Sequence, residues 1–216
     1  MTSCRATTPP AGCPLPGFRC LAGVAAAFLI AGCGDASAPP ERMTFSFEQD
    51  MQGWSATAAD TGRPGEAYAP WSIERSADHA SDGQQALKLQ MVNHTDAAKI
   101  WIVRPFAAQA GQQYDLDVSF AFATADFGST NLFALLTGAF PTPPHDGPSL
   151  LAGTTHDATG NGADSDVGYQ WLRKAIHTSA RANSNGQLFV VVGIWGTWEG
   201  PRTYYLDDLS VELTPR

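Results

Sequence analysis

The chain has 216 residues, with 13 lysines and arginines against 21 aspartates and glutamates, for a net charge of −8. That acidity excludes a nucleic-acid partner, whose phosphates need a basic face, and adhesion to anionic lipid by charge; calcium and neutral ligands stay open. The length is that of one domain, and 21 glycines and 15 prolines punctuate it into short elements.

The first segment carries Arg5 and Arg19, no acid, and then an apolar run over residues 21–32. The run is too short to cross a bilayer as a helix, which takes about 20 residues. The layout predicts a secretory signal peptide over residues 1–32. Leu29-Ile30-Ala31-Gly32-Cys33 resembles the lipobox of bacterial lipoproteins. The resemblance implies that Cys33 is diacylated and becomes the mature N-terminus, so that the protein is exported and anchored to a bacterial membrane through this lipid. The other reading is an ordinary signal peptide with a chance cysteine. Cys4, Cys13 and Cys20 lie before the cleavage point, so the exported chain has no cysteine for a disulfide. It must be held by its core or by a bound metal. It keeps 11 basic residues against 21 acids, a net −10.

Residues 33–42 are polar, small and proline-containing, and read as a flexible tether; the folded domain is expected over 43–216. From there the pattern has period two. In residues 113–123, Tyr114, Leu116, Val118, Phe120 and Phe122 alternate with smaller or polar residues, a strand with one buried face. Residues 86–92 alternate Leu87, Leu89 and Met91 against Lys88 and Gln90. Further strands are predicted over 44–48, 71–75, 99–106, 131–137, 171–178, 188–195 and 203–213. Val190-Val191-Val192 is apolar on both faces, which marks a central strand. No long apolar repeat has helical spacing. The fold class is therefore all-β, a two-sheet antiparallel β-sandwich of jelly-roll type. Residues 138–168, rich in Pro, Gly, Asp and Thr, read as one long loop.

No G-x-S-x-G, H-E-x-x-H or G-x-x-x-x-G-K motif is present, and the five histidines do not stand at metal-ligand spacing, so no enzyme is predicted. Alternation puts Asp207 on the same side as Tyr205, Leu209 and Val211. A lone carboxylate on that side must be paired, hydrogen-bonded or bound to a metal. Glu48 follows the first strand, and first and last strands commonly adjoin, so Glu48 and Asp207 could share a calcium ion. The alternative is that Asp207 caps a turn or accepts backbone hydrogen bonds. Asp157, Asn161, Asp164 and Asp166 lack the spacing of an EF-hand loop and read as solvated. Among six tryptophans, Trp54 and Trp171 suit the core or an edge. Trp195 and Trp198 flank Gly196-Thr197 at the end of an apolar strand, as a loop beside a site would. Trp101 stands between Ile100 and Ile102, so either it or they face away from the core, onto a covered or a ligand-binding surface.

Four segments, in order, resemble the jelly-roll carbohydrate-binding modules of bacterial xylanases and glucanases, within the galactose-binding-like group. They are Phe47-Glu48 with Gly53-Trp54; Ala80-Ser81-Asp82-Gly83-Gln84-Gln85-Ala86-Leu87-Lys88-Leu89; Ala110-Gly111-Gln112-Gln113-Tyr114-Asp115-Leu116-Asp117-Val118-Ser119-Phe120; and Tyr204-Tyr205-Leu206-Asp207-Asp208-Leu209-Ser210-Val211. Trp171 before a strand is a further landmark. The resemblance covers residues 43–213. It implies a structural calcium held by Glu48, Asp207 and loop carbonyls, and polysaccharide bound by exposed aromatic rings, for which Trp101, Trp195 and Trp198 are the candidates. The expectation is a lipid-anchored, non-catalytic envelope protein with a carbohydrate-binding-like domain. The alternative is a structural envelope lipoprotein that uses the same surface for a protein partner.

Overall fold

The computed structural model describes residues 40–62, 68–125, 132–157 and 169–216. The chain divides into two units at Asp35 and Ala36. The predicted signal peptide, Cys33 and most of the tether lie outside the described residues, as do Asn161, Asp164 and Asp166.

Eleven strands and one short helix follow in order among the described residues: β1 (Glu41–Phe45), β2 (Ser55–Ala59), β3 (Trp71–Ser76), β4 (Ala86–Asn93), β5 (Lys99–Ala107), β6 (Gln113–Thr124), β7 (Phe133–Phe140), α1 (Gly147–Ala152), β8 (Thr154–Asp157), β9 (Leu172–Arg181), β10 (Gln187–Gly196) and β11 (Gly200–Pro215). They form two antiparallel sheets. One runs β3-β4-β11-β6-β9, with β1 also on β11; the other runs β2-β5-β10-β7-β8. The β-sandwich jelly roll expected from the alternation is the architecture observed, and β10 is central in its sheet as its triple valine requires.

The core between the sheets is built by the predicted alternation. Tyr114, Leu116, Val118, Phe120 and Phe122 of β6 meet Ile100, Ile102, Leu188, Val190, Val192 and Ile194 of the facing sheet in one buried cluster. Trp54 is in it, edge-on to Phe45 at 5.4 Å between ring centres.

Four expectations differ. Strand β2 lies in Ser55-Ala56-Thr57-Ala58-Ala59, whose small residues carry no alternation of apolar bulk. Phe47 leaves the first strand, with φ of 56°, yet remains fully buried. Residues 138–157 are not one loop: β7 continues through Phe140, and α1 and β8 follow. Asp146 caps α1, its carboxylate accepting the Ser149 N–H at 2.7 Å and Ser149 answering with its hydroxyl, a reciprocal capping box. Lastly, β11 does not alternate throughout. Tyr204 and Leu206 face the core, then Leu209, Val211 and Leu213 do. The three-residue step is a bulge between Asp207 and Ser210, with Asp208 at φ of 47°. Asp207 therefore does not share a face with both Tyr205 and Leu209.

The bulge marks a junction. One edge of β11 pairs with β4 over Gly200–Leu206 and with β1 over Leu209–Leu213, while β6 runs along the other edge. Two strands thus lie end to end beside β11, and Asp207 sits where one gives way to the other.

Candidate functional site

Strands β3, β4 and β11 come together at one end of the larger sheet. Trp71 pairs with Met91, Val92 pairs with Pro201, and the Val92 N–H donates to the Pro70 carbonyl at 2.9 Å. One pair further in, Ser72, Gln90 and Thr203 stand in a row across the three strands. The Gln90 amide donates to the Thr203 hydroxyl at 3.4 Å. These residues, with Arg202, line a groove of about 300 Å³. The Arg202 guanidinium donates to the Glu199 carbonyl at 3.0 Å.

Exposure singles out the same end. Trp71 and Val92 are 38% and 39% exposed, and the other large apolar residues exposed among those described, Tyr68 and Trp198, are their neighbours along the chain or the β11 side. Trp198 is fixed through its carbonyl, which accepts from the Asn93 amide at 3.0 Å. Together with Asp96 and Glu199 it borders a second concavity of about 210 Å³. Val92 and Pro201 thus share a sheet face with Ser72, Gln90 and Thr203, while Trp71, paired with Met91, has the parity of the other face and borders the groove where the strand begins, an arrangement suited to a ligand with an apolar face and a hydroxyl rim.

The three candidate tryptophans do not share one exposed surface. Trp101 has no exposed surface, which removes it as a stacking platform. It faces outward from the smaller sheet, but α1 covers that face: Leu150 joins Trp101, Leu136, Phe140 and Val191 in a second buried cluster. The covered-surface alternative is the one observed. Trp195 lies half-buried beside this cluster. Lys99 Nζ stands 5.0 Å from its ring centre, and its indole N–H donates to the Asp96 carbonyl at 2.9 Å. Lys99 itself pairs with Asp60 at 2.7 Å. Of the three, Trp198 alone is at the open end. Trp71, Gln90 and Thr203 were not singled out from the sequence. A signal exists in hindsight: on the polar face of β4, Lys88 and Gln90 are followed by Val92, an apolar residue where alternation calls for a polar one.

Glu48 and Asp207 approach the same loop, between β3 and β4, from two sides. Glu48 Oε1 accepts from the N–H groups of Gln84 and Gln85 at 2.9 and 3.0 Å. Gly83, at φ of +66°, packs so closely that a Cβ there would stand 2.3 Å from the same oxygen. The Gln85 and Gln84 N–H groups hold Glu48 below the usual carboxylate range against a partial desolvation, with Arg75 adding to the effect. Asp207, fully buried, accepts from Ser81 and Asp82 N–H on Oδ2 at 2.8 and 3.0 Å, and from Asp208 N–H on Oδ1 at 2.7 Å. Burial pushes its carboxyl up, opposed by those three N–H donors. The sequence alternative of backbone hydrogen bonds describes Asp207.

This arrangement does not fit calcium, which takes about six to eight oxygen ligands. The loop turns its N–H edge, the positive end of the peptide dipole, toward both carboxylates. The described residues contain no group of three or more His, Cys, Asp or Glu side chains placed to hold a metal.

No protein-family model and no curated protein matches the chain. Solved structures do. A β-sandwich carbohydrate-binding module studied for promiscuous specificity is 12% identical, with a TM-score of 0.49; the match covers 82% of this chain but 61% of that one. The CBM22-1 xylan-binding domain of Xyn10C from Paenibacillus barcinonensis is 17% identical over 81% of this chain and 94% of its own, with a TM-score of 0.43. A cleaved adhesin domain of Lys-gingipain from Porphyromonas gingivalis is 12% identical over 82% and 99%, with a TM-score of 0.48.

Proposed function

We propose that this is a non-catalytic, lipid-anchored envelope protein whose domain binds a neutral polysaccharide in the groove at the Trp71 end. One observation carries the reading. The neutral row Ser72, Gln90 and Thr203 shares one sheet face with the apolar Val92 and Pro201, two residues along β4 and β11, and Trp71 also lines the groove. A pyranose presents an apolar C–H face and a rim of hydroxyls, and such a pair of bands can take both at once. The strands hold both bands rigid, so little order is lost on binding. Among the described residues no carboxylate lines the groove, and apart from Arg202, which donates to the Glu199 backbone carbonyl, the lining is neutral, which supports a neutral ligand.

Calorimetry of the full chain against soluble neutral glucans, xylans and mannans, and against a polyuronate, tests this. Saturable binding to a neutral polymer is expected. Trp71→Ala and Gln90→Ala should each weaken it about tenfold, the loss of one stacking or hydrogen-bonding contact. The exposed apolar end of the sheet also suits a protein partner. Silence toward every glycan, with one stoichiometric protein recovered from detergent-solubilised membranes and lost on Trp198→Ala, would replace the proposal with that reading.

A further inference from the structure

The junction between β1 and β4 has its own resident cation. The Arg75 side chain, on β3, reaches three successive carbonyls beyond the end of β1. Nε donates to Phe47 at 2.6 Å, Nη2 to Glu48 at 2.5 Å and Nη1 to Gln49 at 2.7 Å. All three nitrogens of the guanidinium are engaged, and Phe47 adopts its left-handed φ where its carbonyl joins the fan. Converging backbone carbonyls are the ligands a hard cation uses at a loop; here a planar organic cation occupies them.

The anionic half of the same junction is also complete. Five backbone N–H groups, from Ser81, Asp82, Gln84, Gln85 and Asp208, fill acceptor positions on Asp207 and Glu48. Carbonyls face a guanidinium and carboxylates face N–H groups, so each charge is met by dipoles of opposite sense from the chain itself.

We propose that Arg75 takes the place a bound calcium was expected to hold, and that the β1, β3–β4 and β11 segments are joined by a clamp independent of metal. Arg75 ties the carbonyl side to β3, Glu48 ties the same turn to the β3–β4 loop, and Asp207 ties that loop to the bulge of β11. The pieces are 26 to 126 residues apart in sequence, so the clamp closes long loops that have no disulfide to close them.

Thermal unfolding of the full chain in detergent, after chelation and then with millimolar calcium, tests the proposal, together with calcium calorimetry. Chelation and calcium should leave Tm unchanged, and calcium should give no saturable heat. Arg75→Ala should lower Tm by on the order of 5 °C. Arg75→Lys, which keeps the charge but not the three-pronged fork, should recover only part of that loss. An Arg75→Ala chain too unstable to purify would agree with the proposal, and Arg75→Lys would then give the graded measure. Stoichiometric calcium binding that raises the wild-type Tm would overturn it, and so would an Arg75→Ala chain that melts with the wild type.

Discussion

Trp101 and Trp71 show how one residue type divides between packing and recognition. Trp101 is enclosed by Leu136, Phe140, Leu150 and Val191, and its indole N–H has no hydrogen-bond partner among the described residues. An orphaned buried donor offsets some of what the ring contributes by burial. Trp101→Ala should cost about 3–5 kcal/mol, the range for removing a large core aromatic. Trp101→Phe should cost distinctly less, because it discards the orphan donor along with part of the ring. Denaturant unfolding measures both, and glycan affinity in either folded variant should match the wild type. Reduced affinity with unaltered stability would return Trp101 to the binding surface. The sequence left open whether Trp101 or its isoleucine neighbours face outward, and what covers that face, because the cover comes from Leu150, some fifty positions away and in a segment with no strong pattern. The strand predicted over residues 71–75 puts Trp71 on the same side as Ile73, which is correct for strand parity. Parity does not reveal that the strand begins at Trp71, where the facing sheet no longer shields the ring.

Between β7 and β8 the chain doubles back through α1 with very little clearance. A Cβ on Gly138 would stand 2.2 Å from the Gly153 carbonyl oxygen, and one on Gly153 would stand 2.3 Å from the Phe140 ring. The element packs this closely because Leu150 must reach the outward face of the smaller sheet. Gly138→Ala should therefore cost about 1–3 kcal/mol by overpacking, and hydrogen exchange should show the effect in α1 and β8 while β6 and β11 stay protected. Uniform loss of protection across both sheets would mean that α1 is part of the global folding unit rather than a locally seated strap. The same comparison explains which elements could be read in advance. Strands with a polar and an apolar side, such as β4 and β6, announced themselves by period. β2 is too small in its side chains to do so, and α1 is too short for a helical repeat. The bulge at Asp207 escaped because a local φ reversal at Asp208 leaves no trace in a hydropathy pattern. The clamp escaped because Arg75 acts on backbone carbonyls, which every residue has.

Strand β11 sets the polarity of the whole molecule. Its Leu213 pairs with Glu41, at the start of the first strand, while its Pro201 lines the groove. The twelve residue steps from one to the other span about 40 Å at strand geometry. If Cys33 carries the lipid, the eight residues from there to Glu41 reach at most about 28 Å. The membrane-proximal end of the domain is then the one bearing Glu41, Gln109 and Pro215, which border a common concavity, and the groove faces outward. The charge balance of residues 33–216, −10, would oppose tipping onto an anionic bilayer. Thiol labelling can test this, because no cysteine but Cys33 would remain if the predicted signal is removed. Fluorophores on Gln109→Cys and Val92→Cys, in lipidated protein on vesicles, should separate clearly. Nitroxide-bearing lipids should quench the Gln109 label more strongly, and aqueous iodide should quench the Val92 label more strongly. The reverse order would place the groove against the bilayer, where a polymer could not reach it, and the ligand would then have to be a membrane component. Equal quenching of both labels by lipid would mean that the domain lies flat, despite its charge. In a chain bearing Cys33→Ser neither label should respond to lipid, which ties the orientation to the anchor rather than to the surface of the domain.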